Sequence, residues 1–114
     1  MTPYDIAVTA AKALDSKLGI DIKVLKVEEI TVLADYFVIC SGGSNTQVKA
    51  LAVEAEYQLE QEGIKPNHVE GRGDGSWTLL DYGSVMIHVF TEEGRAFYSL
   101  ERLWADAEEI TVDF

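Results

Sequence analysis

Three Gly-Ser dipeptides, Gly43-Ser44, Gly75-Ser76 and Gly83-Ser84, are the first places to look for chemistry in this chain. A Gly-Ser turn beside a strand with two carboxylates can hold a divalent metal against phosphates, as nucleotidyl transfer requires. None of the three has that setting. Gly43-Ser44 opens a helical segment bearing Lys49, Gly75-Ser76 precedes a strand whose only acid is Asp81, and Gly83-Ser84 precedes a strand with none. Gly42-Gly43-Ser44, between a strand and a helix, could still cradle an anion on the helix N-terminus. It lacks the P-loop lysine and the three-glycine dinucleotide pattern, so strand exit plus helix cap is the favoured reading. Nucleotide binding, or a nucleotidyltransferase-like activity through this loop, is kept as the alternative function.

The soft metal ligands are Cys40, His68 and His88, on three separate elements and without C-x-x-C or H-x-x-x-H spacing. No metal and no cofactor is expected from them. Cys40 reads as a small core residue, and a lone cysteine excludes an internal disulfide and fits a reducing cytosol. Asp35 reads as a turn acid that bonds backbone N–H groups at the entry to a strand.

Twenty acidic against nine basic residues give a net charge of −11, and the basic residues are scattered. Gripping nucleic-acid phosphates needs a Lys/Arg stripe, so direct nucleic-acid binding is not expected. Such a chain suits a basic protein partner, steered by long-range attraction. The plainer reading is that the charge only keeps the protein soluble. No apolar run is long enough to span a bilayer, and Thr2-Pro3 already has the look of a helix cap, so no leader is expected before it.

The elements that must position any site follow from periodicity. Pro3 to about Leu18 predicts a helix with Thr2 as N-cap and Gly19 as its stop. Asp21–Val27 predicts a strand, Glu28–Ala34 a connection anchored by Val32 and Leu33, and Tyr36–Ser41 a central strand buried on both sides. Ser44-x-x-Gln47 is a capping box for a helix running to about Glu62, closed by Gly63. His68–Glu70 predicts a short strand and Gly71–Gly75 a flexible loop. A hairpin then runs from Trp77 to about Phe90 through Tyr82-Gly83, and one helix follows from Glu92 to Trp104. The sum is a single compact α/β domain over residues 1–104, ordered α-β-β-α-β-β-β-α, with a mixed five-stranded sheet and helices packed on it. Residues 105–114 form an acidic tail, either disordered or adding a short edge strand.

Within the hairpin the period of two sorts side chains onto two faces. Thr78, Leu80, Val85, Ile87 and Val89 make an ordinary core set. Trp77, Leu79, Asp81, Ser84, Met86, His88 and Phe90 make a mixed face of aromatic, sulfur, carboxylate and imidazole groups. Such a face suits a covering body, either the chain's own last helix or another protein. Trp77 accordingly reads as a partner anchor or as packing beneath that helix. His88 reads as an interface hydrogen-bonding group or as a half-exposed strand histidine. Arg95, Glu101 and Arg102 read as a solvated helix face with weak ion pairs.

WTLLDYG, VMIHVF and EEGRAFYSLERLW, together with DYFVICSGGSNTQVKA upstream, resemble the Iojap-like family, the ribosomal silencing factors. The resemblance covers about Ile22 to Trp104; one departure is Thr46, where many relatives carry a basic residue. It implies an α/β domain shaped like a nucleotidyltransferase and a non-enzymatic factor of the bacterial cytoplasm. It also implies binding to the fourteenth protein of the large ribosomal subunit, which blocks joining of the small subunit when nutrients are short. On that reading Trp77, Leu79, Met86 and His88 make the contact, and Asp81, Arg95, Tyr98 and Arg102 contribute at its rim. The same apolar patch implies a homodimer when the protein is free.

Overall fold

Thr2 begins the first helix for a reason visible in the sequence: an acid stands three residues later. In the computed structural model, which describes residues 1–71 and 74–114, α1 spans Pro3–Ser16. Thr2 Oγ1 accepts the Asp5 N–H at 3.1 Å and the Asp5 carboxylate accepts the Thr2 N–H at 3.2 Å, a complete capping box. The helix ends in a Schellman turn, with Gly19 N–H on the Leu14 carbonyl at 2.9 Å and Leu18 N–H on the Asp15 carbonyl at 3.0 Å. The left-handed residue is Leu18, φ 62°, and not the expected Gly19. Gly19 serves close approach instead, because a Cβ there would stand 2.6 Å from Cys40 Sγ.

Leu18 is largely exposed, so its side chain offsets little of this backbone strain. Left-handed strain of about 1–2 kcal/mol against about 0.4–1 kcal/mol of unfolded-state entropy predicts that Leu18→Gly stabilises the fold by about 0.5 kcal/mol. Thermal unfolding should show a small rise in Tm, and a fall would contradict the strain argument.

The sheet is built from β1 (Ile20–Lys26), β2 (Tyr36–Gly42), β3 (His68–Gly71), β4 (Trp77–Asp81), β5 (Val85–Thr91) and β6 (Glu108–Ile110). Its order is β3-β4-β5-β2-β1-β6, with β2 and β5 parallel and the other pairs antiparallel. The expected mixed α/β sheet is present with six strands rather than five, because the edge-strand reading of the terminal segment is the one realised: Ile110 pairs with Val24 and Glu108 with Lys26. The second long helix, α2, spans Asn45–Gln61. It packs with α1 on one side of the sheet, where Leu14, Val38, Leu51, Leu59, Leu80, Ile87 and Val89 are buried together. The other side carries α3 (Glu92–Tyr98) and α4 (Leu100–Leu103) over Leu25, Phe37, Ile39 and Phe90.

Two further expectations need correction. The single helix from Glu92 to Trp104 is broken at Ser99, which takes φ 51° and ψ 43°. Val32 and Leu33 are not anchors, being 103% and 58% exposed; Val27 and Ala34 are buried in their place. The Val27 carbonyl accepts the Ile30 and Thr31 N–H groups, a tight turn that throws the middle of the loop outward. The expected flexible loop Gly71–Gly75 includes Arg72 and Gly73, which lie outside the described residues.

Candidate functional site

The hairpin turns at Gly83-Ser84, one step later than Tyr82-Gly83. Gly83 has φ 81°, its N–H is held by the Asp81 carboxylate at 2.8 Å, and Tyr82 N–H bonds the Val85 carbonyl at 2.9 Å. Asp81 therefore pairs with Met86, not Ser84. This shift of two residues moves Ser84 from the mixed face into the turn and leaves the side chains of both strands on their expected faces. The mixed face forms rows across the sheet: Trp77 beside Phe90, Leu79 beside His88 and Ile39, and Asp81 beside Met86 and Phe37.

Half of this face is roofed by the chain itself. Tyr98 of α3 lies on Trp77 with ring centroids 4.6 Å apart, and Trp104 meets Phe37 edge-on at 5.3 Å. Trp77 thus packs beneath the helix and remains half-buried, as do Leu79, Asp81, Met86 and Tyr98. These residues come together as an apolar strip with one carboxylate. A hollow of about 440 Å3, lined by Val69, Glu70, Gly71, Trp77 and Leu79, extends the strip to β3. This flank carries no functional signal in the sequence, because four residues offer little pattern to read. Arg95 and Arg102 are not part of the strip, since they line a second hollow with Ile20, Asp21, Ser41 and Glu101.

His88 fits neither of its expected readings, because it is only 4% exposed. Phe37 meets its ring edge-on at 5.0 Å and Phe90 stacks on it at 6.2 Å. Trp77 Nε1–H donates to His88 Nδ1 at 3.2 Å, which assigns the histidine proton to Nε2. Nε2 itself is buried with no hydrogen-bond partner among the described residues. Burial disfavours the imidazolium and pulls the pKa from 6.5 down to about 4. The histidine therefore orients Trp77 from below as a neutral ring.

That shift makes stability depend on pH. Between pH 6.5 and about 4 the unfolded imidazole is protonated and the folded one is not. The unfolded state then binds more protons, so stability is full above that window and falls as the pH drops through it, by about 3 kcal/mol in total. Urea unfolding across this range should show the loss, and His88→Phe should flatten that part of the curve. An unchanged slope in the variant would exclude His88 as its source.

Arg95 is not on a solvated face. The break at Ser99 turns α4 back so that Glu101 Oε1 accepts from Arg95 Nε at 2.7 Å. Arg95 Nη1 donates to Ser41 Oγ at 3.0 Å and to the Ile20 carbonyl at 3.3 Å. Nη2 makes an ion pair with Asp21 at 3.5 Å, beyond good hydrogen-bond geometry. A register shift in β1 between Ile20 and Lys23, with Asp21 at φ 48°, brings that carboxylate to the guanidinium. Lys23 Nζ bonds the other oxygen of Glu101 at 3.2 Å. The Arg95 hydrogen bond, helped by Lys23, holds the Glu101 carboxyl below its ordinary range. Arg95 is thus the strut that fixes α3 and α4 to the sheet. Gly94 completes the seat, since a Cβ there would stand 2.5 Å from the Ser76 carbonyl. A glycine inside a helical stretch was the available signal for it.

The Gly42-Gly43-Ser44 loop satisfies itself. Ser44 Oγ accepts the Gln47 N–H at 3.1 Å, while the Gln47 side chain takes the Gly43 N–H at 2.6 Å and donates to the Leu18 carbonyl at 3.2 Å. The expected capping box is therefore half formed, and Gln47 ties the start of α2 to the end of α1. Burial pushes the Cys40 thiol up to about 12, against nucleophilic use. Asp35 links the loop through its backbone, donating N–H to the Ser84 carbonyl at 2.7 Å and accepting from Val27 N–H at 2.8 Å. Among the described residues, no group of three or more His, Cys, Asp or Glu is placed to hold a metal, and no helix is long and apolar enough to cross a membrane.

The site is thus a half-roofed apolar strip on an acidic α/β domain. Comparison with known proteins gives the family. Residues 1–114 match the family model described as "Ribosomal silencing factor during starvation". The chain is 42% identical over 114 residues to ribosomal silencing factor RsfS of Bacillus subtilis, covering 100% of this chain and 97% of that protein. It is 35% identical over 111 residues to the chloroplastic protein Iojap of Zea mays, covering 95% of this chain and 47% of the longer plant protein. The crystal structure of a protein from Chromobacterium violaceum superposes with a TM-score of 0.89 at 32% identity, covering 100% of this chain and 94% of that one. The chain belongs to the ribosomal silencing factor family.

Proposed function

We propose that this protein represses translation without catalysis, by binding the fourteenth protein of the large ribosomal subunit and blocking the small subunit from joining when nutrients are short. Family membership supports the ribosomal target. The single observation that carries the docking face is the strip Trp77-Leu79-Met86, left half open with Asp81 at its border on a chain of net charge −11. Apolar centre and acidic surround complement a basic protein surface. Trp77, Leu79, Asp81 and Met86 make the contact, with Tyr98 at the rim and the exposed Arg102 beyond it, on the second hollow. His88 acts by positioning Trp77, and Arg95 by holding the helices that frame the strip. Residues 1–104 carry this activity in the cytoplasm, and 105–114 serve as an acidic extension that supplies β6. Free of the ribosome, the protein self-associates.

Titration calorimetry with the purified fourteenth large-subunit protein tests the reading. A one-to-one complex that weakens as salt rises is expected. Absence of binding at low and physiological salt alike would overturn the choice of partner.

A further inference from the structure

The segment between β1 and β2 turns apolar side chains outward. Within four residues it exposes Ile30 at 44%, Val32 at 103% and Leu33 at 58%. Single exposed apolar side chains are ordinary on a protein surface, whereas a cluster of three on one loop marks a contact. The loop is also held in shape. The Val27 carbonyl accepts the Ile30 and Thr31 N–H groups, each at 3.0 Å, and Thr31 Oγ1 accepts the Leu33 N–H at 3.1 Å. At its base Val27 N–H donates to the Asp35 carbonyl at 2.8 Å. A tip fixed in this way has little freedom to lose on binding, so its apolar area converts efficiently to affinity.

The position of the loop says what it meets. Its two feet, Val27 and Ala34, are buried in the cluster that includes Phe37, against which Trp77 and Met86 pack. Phe37 stands beside Met86 in the sheet, and Asp35 N–H ties the loop to the hairpin turn through the Ser84 carbonyl at 2.7 Å. The loop thus rises at the Asp81–Met86 end of the strip. Glu28, Glu29 and Asp35 flank its apolar tip, and the one base in this segment, Lys26, pairs with Glu28 at 3.3 Å. We infer that Ile30, Val32 and Leu33 form a second contact element, an apolar prong that seats on the same basic protein that covers the strip. An apolar tip in an acidic collar repeats the chemistry of the strip with Asp81 at its border. This rests on the function proposed above and extends its surface past the end of the sheet.

Titration calorimetry against the purified fourteenth large-subunit protein tests it with wild type, the double variant Val32→Ser with Leu33→Ser, and Val53→Ser. Both loop positions are exposed, so the double variant should unfold at the wild-type temperature. Val53, 67% exposed on α2 across the sheet from the strip, controls for the loss of exposed apolar surface anywhere. The double variant should bind about 10-fold to 100-fold more weakly, and Val53→Ser like wild type. Amide exchange at Thr31 and Leu33 should slow in the wild-type complex. A double variant that binds like wild type, with loop exchange unchanged by the partner, would overturn the inference and leave the strip standing. If the double variant keeps the partner but loses self-association in sedimentation velocity, the loop serves a second copy and the inference fails. A wild type that does not bind the partner at all would overturn the proposed function and this contact together.

Discussion

Leu79→Arg is expected to abolish binding to the large ribosomal subunit while leaving the protein folded. Leu79 is half-buried at the open end of the strip, between Glu70 on β3 and His88 on β5. A longer side chain there can carry its charge out to solvent beside Glu70, so the fold should lose no more than about 1 kcal/mol. Binding suffers twice, because an apolar contact is lost and a positive charge is set against a basic partner. A central contact of this kind is worth about 2–4 kcal/mol, which is about 30-fold to 1,000-fold in affinity. Co-sedimentation with the large subunit and thermal unfolding of the same sample separate the two effects. Retained binding with an unchanged Tm would move the docking surface away from this strip.

Arg95→Met should cost about 3 kcal/mol of stability, far more than an exposed ion pair is worth. The guanidinium side chain is only 10% exposed and reaches four groups: Glu101, Ser41, the Ile20 carbonyl and Asp21. Its loss leaves the buried Ser41 hydroxyl short of a donor, while the Ile20 carbonyl opens to the second hollow and Glu101 keeps Lys23. Urea unfolding should show the loss, and amide exchange should quicken through α3 and α4 before it does in β5. Arg95→Lys should recover only part, since one ammonium cannot span the directions of a planar fork. A loss below about 0.5 kcal/mol would show that Tyr98 and Trp104 hold the helices without the strut.

How much of this was legible in the sequence varies with the range of the interactions involved. The two faces of the hairpin were legible because a period of two survives an error in the turn. The register itself was not, since it depends on the Asp81 carboxylate capturing the Gly83 N–H. The caps Thr2 and Ser44 and the stop at Gly63 were local and legible. Leu18 was not, because a bulky residue in the left-handed region contradicts propensity. The break at Ser99 escaped for the same reason, and the Arg95 strut with it: that network needs the break in one segment and the displaced Asp21 in another. The burial of His88 likewise depends on where Phe37 and Trp77 arrive, which no local pattern specifies. The apolar strip was readable as a composition of side chains, and only the fold says how much of it the chain covers itself.

The most direct test of the central claim is gradient sedimentation of purified large and small ribosomal subunits with this protein. The protein should travel with the large subunit and joined ribosomes should disappear as it is added, with Trp77→Ala weakening both effects. A protein that stays at the top of the gradient while the subunits join normally would contradict it.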